Sequence, residues 1–260
     1  MTSTHTDIPL EALVALKHIK ESLGGSVAAV YLYGSAVAGG LRNNSDVDIM
    51  VVVNQRPSEA TLKDLAERLL RVSGRMGDNA VRPLEVTVIN HDDVVPWKYP
   101  PRKEFIYGEW LRGSYEQGQI LEPADDPDLA IILSQLLQHS VPLMGKAASE
   151  LLDPVPMADV RTAMRESLPG LIACTKGDER NVILTLARMW VTAVTGAFLP
   201  KDEAAQCAMR RLPEQQAALL DLAGRAYRGE CVDTWGDKSS EVSMLVQHLE
   251  KEIEHCLNRN

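Results

Sequence analysis

The sequence "YLYGSAVAGGLRNNSDVDIMVVV", Tyr31 to Val53, contains two apolar runs separated by a loop rich in glycine, serine and asparagine. Runs of β-branched and aromatic residues bounded by such loops are typical of strands. Asp46 and Asp48 stand where the second run begins. Residues i and i+2 of a strand face the same way, so both carboxylates project from one face of the predicted sheet. Two like charges this close repel each other, and a bound cation removes the repulsion.

Carboxylate oxygens are hard ligands of the kind that Mg²⁺ prefers, so the pair indicates a magnesium site. A D-x-D pair alone is a weak motif. The alternative is that Asp46 orders the loop or caps a helix and that Asp48 has no role. Upstream, "GSAVAGG" is a Gly-Ser turn directly after a predicted strand. The hydroxyl of Ser35 and neighbouring N–H groups can cradle phosphate oxygens there, although an ordinary flexible turn has the same composition.

A third carboxylate, Glu85, lies inside "LEVTVIN", residues 84–90, another predicted strand. A lone glutamate there is costly unless it is paired, exposed at a site or bound to metal. If this strand pairs beside strand 47–53, Glu85 approaches the two aspartates. Three carboxylates beside a phosphate-binding turn predict nucleotidyl transfer. Asp46 and Asp48 would bind Mg²⁺, and Glu85 would be the catalytic base and a further metal contact.

The rest of the chain separates into two regions. Around the site, the pattern predicts strands at 27–33, 47–53 and 84–90 and helices at 9–23, where Leu10, Leu13, Leu16 and Ile19 recur at helical spacing, and at 58–73, beginning at Ser58. "VVPWKYPPRKEF" is predicted to be irregular. From about residue 127 strand signals vanish, and helices are predicted at 127–139, 158–172, 178–195, 202–210, 213–227 and 238–257. Two prolines in "LLDPVPMAD", residues 151–159, indicate a linker. We therefore predict an α+β protein with an α/β domain at 1–155 and a helical bundle at 156–260.

The composition limits the class of protein. The 260 residues are 45% hydrophobic and 24% charged, with a formal net charge of −9. This charge argues against a nucleic-acid partner that needs a broad basic surface. The sequence lacks a signal-peptide pattern and a membrane-spanning run, and its four cysteines form no C-x-x-C pair. We expect a cytoplasmic monomer that binds neither nucleic acid nor membrane.

The motifs resemble known families. "GSAVAGGLRNNSDVD" followed by a strand glutamate is similar to the polymerase-β-type nucleotidyltransferases, which implies that fold for the N-terminal domain. More narrowly, "YLYGSAVAGGL", "VVPWKYPPRKEFIYGEWLRG" and "GDERNVILTLARMW" resemble the aminoglycoside adenylyltransferases that modify streptomycin and spectinomycin. The resemblance runs from about residue 10 to 255. It is strongest to the branch that modifies the 9-hydroxyl of spectinomycin, and it implies antibiotic resistance with Mg²⁺ and ATP.

The resemblance also implies individual roles. Glu85 is the implied catalytic base and contacts the drug together with Trp110, Asp178 and Asn181. The residues implied to bind Mg-ATP are Ser35, Ser45, Asp46, Asp48, Asp128, Arg188, Lys201 and Tyr227. Some have ordinary alternatives: Trp110 as a core residue, Asp178 as a helix cap, Lys201 as a helix start, and Arg188 as a surface or interdomain residue.

One departure from the family bears on the drug. Relatives that modify both drugs carry a tryptophan and an aspartate just before "GDER", where this chain has Leu171 and Cys174. The aromatic platform and the anion that would hold the cations of streptomycin are missing. We therefore predict spectinomycin alone as the drug. The alternatives are a dual-specificity enzyme, a nucleotidyltransferase for protein or RNA, and a non-catalytic module on the same fold.

Overall fold

The computed structural model describes residues 7–42, 45–75 and 80–259. The chain divides into two compact units, the first ending at Val155 and the second beginning at Pro156. The first unit contains α1 Leu10–Leu23, β1 Val27–Tyr33, β2 Val47–Val53, α2 Glu59–Val72, β3 Leu84–Asn90, α3 His91–Val94, β4 Arg102–Lys103, β5 Phe105–Tyr107, α4 Arg112–Glu116, β6 Ala124–Asp125, α5 Asp128–Gln138, β7 Val141–Met144 and α6 Ala148–Leu151. The second contains α7 Met157–Ala173, α8 Glu179–Thr195, α9 Lys201–Met209, α10 Glu214–Tyr227 and α11 Ser239–Leu257.

The described part of the first unit is built on a five-stranded sheet with the order β5-β3-β2-β1-β7. Strands β2 and β3 run parallel, and the remaining neighbours are antiparallel. The bounds of β1, β2 and β3 are those predicted from the sequence. Continuous apolar runs are typical of strands covered on both faces, and each of these three strands has five consecutive buried residues at its end.

Each face of the sheet is covered by helices. Alternate residues of β1, β2 and β3 pack on one side against α1 and α2, and the opposite set packs against Leu129, Leu133 and Leu136 of α5. Ser58 caps α2, because its hydroxyl accepts the N–H of Thr61 at 3.2 Å. This layering places β2 at the centre of the sheet with β3 beside it, covered on both faces.

Two local predictions are wrong. A strand, β7, lies beyond residue 127, at the edge of the sheet where Pro142 is tolerated. The proline-rich segment is irregular only as far as Pro101, since β4 and β5 follow it.

The helix predicted at 9–23 is present as α1. Its core side chains are Ala12, Ala15, Ile19 and Leu23, whereas Leu10 and Leu13 are exposed.

The second unit is a bundle around α8, which packs against α7, α9, α10 and α11. Ten of its 17 residues are buried. Arg161 of α7 donates to the carbonyl of Ala193 at 2.9 Å and to that of Cys256, which ties α7 to the C-terminal turns of α8 and α11. No helix among the described residues is long and apolar enough to cross a membrane.

Candidate active site

The carboxylates predicted from the sequence lie in one row on the α5-covered face of the sheet. Tyr33 of β1 is opposite Asp48 of β2, and Asp48 is opposite Glu85 of β3. Paired residues on neighbouring strands share a face, so these three side chains project together. Asp46 immediately precedes β2, two residues from Asp48, and its charge also acts on Tyr33. The strand pairing that the hypothesis required is therefore present. Asp46, Asp48 and Glu85 are each half-buried.

Gly34 fixes the position of Asp48. It has φ +66°, and a Cβ atom built on it would lie 1.9 Å from Asp48 Oδ2. A side chain here would have to displace the carboxylate, so only glycine fits. The backbone at Gly34 therefore closes on Asp48, one of the candidate metal ligands.

Tyr33 lies next to Asp48 at the β1 end of the carboxylate row, a position that the sequence did not indicate. It is only 4% exposed, and its hydroxyl has no hydrogen-bond partner among the described residues. Burial, followed by the charges of Glu85, Asp48 and, more weakly, Asp46, raises the pKa of Tyr33 well above its ordinary value. The phenol therefore stays protonated at neutral pH. A tyrosine in an apolar strand is usually an ordinary core residue, so the sequence alone does not single it out.

The loop before β2 is held by hydrogen bonds. Ser45 is buried, and its hydroxyl accepts the backbone N–H of Arg42 at 3.0 Å. Arg82 donates to the carbonyl of Arg42 at 2.5 Å and to that of Ser45 at 3.2 Å. Ser45 thus orders the loop that presents Asp46. Ser35 lies half-buried in the 3-10 turn Gly34–Ala36, which directly follows the end of β1 at the carboxylate row.

Trp110 is 59% exposed, so the core alternative is wrong. Its indole lies against the backbone of Gly108. A Cβ atom built on Gly108 would be only 2.4 Å from Trp110 Cη2. Val86 pairs with Tyr107, and the antiparallel register continues toward Glu85 and Gly108. The exposed aromatic ring is thereby brought to the strand end that carries Glu85.

Asp128 is exposed and is the first residue of α5. The preceding Asp126 supports this helix start, accepting the N–H of Asp128 at 3.0 Å and the ammonium of Lys103 at 2.5 Å. Because α5 covers the face that bears the carboxylate row, Asp128 belongs to the same side of the sheet.

In the second unit the structure joins residues that the resemblance assigned to different substrates. Asn181 donates its amide to Asp178 Oδ2 at 2.9 Å and accepts a hydrogen bond from Lys201 Nζ. Asp178 occupies the N-cap position of α8 but makes no side-chain cap bond, so its carboxylate does not act as a cap. Lys201 is the first residue of α9. An anion, an amide and a cation thus form a short polar chain.

The remaining predicted residues of this unit are half-buried. Arg188 lies seven residues after Asn181 on α8, on the same side of the helix, while Val182, Leu186 and Met189 are buried. Tyr227 is the last residue of α10.

The carboxylates of the row could hold Mg²⁺ only together with further oxygen ligands from a substrate or water. Among the residues that the structure describes, no three His, Cys, Asp or Glu side chains form a ready metal site. Magnesium in nucleotide sites is usually held by one or two carboxylates together with phosphate oxygens and water. Asp46 and Asp48 match that arrangement. A Mg²⁺ contact by Glu85 stays a prediction.

Comparison with known proteins defines the class first. Residues 16–94 match the polymerase beta nucleotidyltransferase family, and residues 150–252 match the C-terminal domain of aminoglycoside adenylyltransferases. A mixed sheet with a carboxylate row behind a Gly-Ser turn, followed by this helical domain, defines a nucleotidyltransferase. The α+β fold class predicted from the sequence is confirmed.

The relatives then give the family. The chain is 54% identical over 252 residues to a spectinomycin 9-adenylyltransferase of Staphylococcus aureus, covering 96% of this chain and 97% of that protein. It is 44% identical to an aminoglycoside (3'') (9) adenylyltransferase of Escherichia coli, covering 90% of each. A crystal structure of spectinomycin adenyltransferase AAD(9) from Enterococcus faecialis with ATP and spectinomycin matches with a TM-score of 0.89 at 34% identity, covering 95% of this chain and 100% of that one. The chain belongs to the aminoglycoside adenylyltransferase family.

Proposed function

We propose that the protein transfers the adenylyl group of ATP to the 9-hydroxyl of spectinomycin, releases pyrophosphate and so confers resistance to the drug. The observation that carries this proposal is the pairing of β2 with β3, which sets Glu85 beside Asp48 in a chain 54% identical to a spectinomycin 9-adenylyltransferase. The relative found with ATP and spectinomycin in its crystal supports the same pair of substrates.

Glu85 is the proposed base. The 9-oxygen attacks the α-phosphorus of ATP, its proton passes to the Glu85 carboxylate, and the bond from the α-phosphorus to pyrophosphate breaks. Asp46 and Asp48 would hold Mg²⁺ together with phosphate oxygens. When bound, the metal would neutralise charge on the triphosphate. Ser35 and the N–H groups of its turn bind phosphate oxygens, and Trp110 provides an aromatic surface for the drug beside the base.

The second unit supplies the other substrate contacts in this proposal. Arg188, Lys201 and Tyr227 bind ATP, as does Asp128 from the first unit, and Asp178 and Asn181 bind the drug. An anion at Asp178 suits the amines of spectinomycin. We also propose that the enzyme is a cytoplasmic monomer that does not act on nucleic acid, which size-exclusion chromatography and nucleic-acid binding assays test.

Spectinomycin rather than streptomycin is proposed because of the segment between α7 and α8. Leu171 is in the last turn of α7 and Cys174 is its exposed C-cap residue. Between them and Asp178 the chain offers no aromatic ring or carboxylate and one cation, the exposed Lys176. A lysine repels the guanidinium groups of streptomycin instead of holding them.

The test is product identification. Purified protein is incubated with spectinomycin and ATP, with Mg²⁺ or with a chelator. Mass spectrometry should show one adenylyl group per drug molecule, NMR should locate it on the 9-oxygen, and the chelator should stop the reaction. A product adenylylated at another position, or no product, would refute the proposed activity. Product formation at an equal rate with the chelator would refute the metal assignment.

A further inference from the structure

Two buried hydroxyl groups lie under the carboxylate row without partners. Tyr33 is 4% exposed and Thr87 is 1% exposed, and within the described residues neither hydroxyl makes a hydrogen bond of normal geometry. Buried polar groups are nearly always paired, since an unmet hydroxyl costs folding free energy. Two such groups at one place in a rigid sheet therefore need an explanation.

Their positions point to Glu85. Thr87 is two residues after Glu85 on β3 and shares its face of the sheet. Tyr33 starts from β1, two strands away, yet the Thr87 hydroxyl lies near enough to lower the pKa of its phenol as a hydrogen-bonding neighbour, so the Tyr33 ring reaches across β2. Among the carboxylates, Glu85 acts on this phenol most strongly. Thr87 thus lies one row inside the proposed base, and Tyr33 lies in the same row as the base.

A neighbouring tyrosine shows that the fold can satisfy such a group. Tyr31 lies one row deeper on the same strand and face, and its hydroxyl donates to the carbonyl of Lys146 at 3.0 Å. The unmet hydroxyl of Tyr33 is therefore a property of its position beside the row, and not a general consequence of burying tyrosine in this layer.

We propose that Tyr33 is a positioning residue for Glu85. Thr87 donates its proton to Tyr33 Oη, which leaves the phenolic O–H to donate to one oxygen of the Glu85 carboxylate once the substrates are bound. The other carboxylate oxygen then faces the attacking hydroxyl. Hydrogen bonds to a charged group are strong and directional, so this pairing fixes the rotamer of the base. The inference rests on the proposed function, in which Glu85 is the base.

Tyr33→Phe tests the proposal, because it removes only the hydroxyl. We expect kcat to fall about tenfold or more, with the KM values for ATP and spectinomycin within about twofold of wild type. The Tm of the free protein should stay the same or rise, since an unpaired hydroxyl is lost. Thr87→Val should lower kcat less, and Thr87→Val added to Tyr33→Phe should cause no further loss. Tyr31→Phe is the matched control, expected to keep kcat and to lower Tm by removing a bond that exists.

Three results would overturn the inference. Unchanged kcat in Tyr33→Phe would show that the hydroxyl does not act on the base, and the proposed function would still stand. A raised KM with normal kcat would assign it to substrate binding. A fall in Tm like that of Tyr31→Phe would show that the hydroxyl is already paired in the free protein. Failure of the wild-type protein to make product would instead refute the proposed function, and the Tm comparison would still decide whether the hydroxyl is unpaired.

Discussion

At the scale of single residues, the site depends on a few side chains whose types are unusual for their position. Asp48 and Glu85 are the half-buried acids of two strands that are otherwise buried, and they are direct neighbours across the sheet. Burying carboxylates together is unfavourable without compensation. Such an arrangement is common at catalytic sites, where charge is arranged for a ligand instead of for stability.

Glu85→Gln should abolish most of the reaction and spare the nucleotide site. The amide has nearly the same shape but cannot accept the proton, so kcat should fall on the order of 10²–10⁴-fold. The dissociation constant for ATP, measured by calorimetry, should change little. Glu122→Gln, at an exposed position in the same unit, is the control. Near-normal turnover in Glu85→Gln would contradict the assignment of the base.

Gly34→Ala should cost activity beyond its effect on the backbone. Gly34 and Gly118 both have positive φ, +66° and +71°, so alanine at either position loses roughly 1–2 kcal/mol of unfolding free energy. Nothing lies within 4 Å of a Cβ on Gly118, whereas on Gly34 it meets Asp48. Only Gly34→Ala should lower kcat/KM, by about 100-fold, because it displaces Asp48. Equal activity of the two variants would show that the position of Asp48 is unimportant.

At the scale of helices and strands, the sequence predicted the central elements and missed the edges. Strands β1 to β3 are long, apolar and bounded by turn residues, so their periodicity was sufficient. The edge strand β7 has four residues and contains Pro142, and β5 has three residues shortly after a run of prolines. Such strands are defined by pairing with a neighbour, and a single sequence does not show that pairing.

The site was predictable to the same extent. Asp46, Asp48 and Glu85 stand out as charges in apolar strands. Tyr33 and Gly34 do not, because their importance comes from a neighbour across the sheet. The register of β1 with β2, which brings Tyr33 beside Asp48, is a tertiary property.

An ion-pair network holds the segment around β4 and β5. Glu104, whose side chain is 3% exposed, contacts Arg56 and lies 3.5 Å from Arg102 Nε, and Arg56 also pairs with Asp93 at 2.7 Å. Burial raises the pKa of Glu104, and the two arginines oppose that rise. The folded protein therefore binds this proton more tightly than the unfolded chain does. This contribution to stability is complete below the unfolded pKa and is lost as the pH rises through the folded pKa.

Arg56→Met should destabilise the protein more at neutral than at mildly acidic pH. Without Arg56 the pKa of Glu104 rises further, so the cost of keeping it ionised grows with pH. We expect a loss of about 2 kcal/mol at neutral pH, less than for a fully buried pair because Arg56 is 49% exposed. The control is Arg71→Met, which removes an exposed pair with Glu67 and should change unfolding in urea by about 0.5 kcal/mol or less. A loss independent of pH would exclude Glu104 as its cause.

At the scale of the whole molecule, the two units divide the proposed work. The first carries the carboxylate row, the phosphate-binding turn and Trp110. The second carries the polar chain of Asp178, Asn181 and Lys201, and the segment at Leu171 and Cys174 that bears on drug choice. The proposed base and metal ligands thus lie in the first unit, and the segment proposed to exclude streptomycin lies in the second.

The central claim is adenylylation of spectinomycin in preference to streptomycin, and the most direct test is to measure kcat/KM for both drugs with Mg-ATP under identical conditions. We expect rapid turnover of spectinomycin and a kcat/KM at least about 100-fold lower for streptomycin. Comparable values for the two drugs, or a preference for streptomycin, would contradict it.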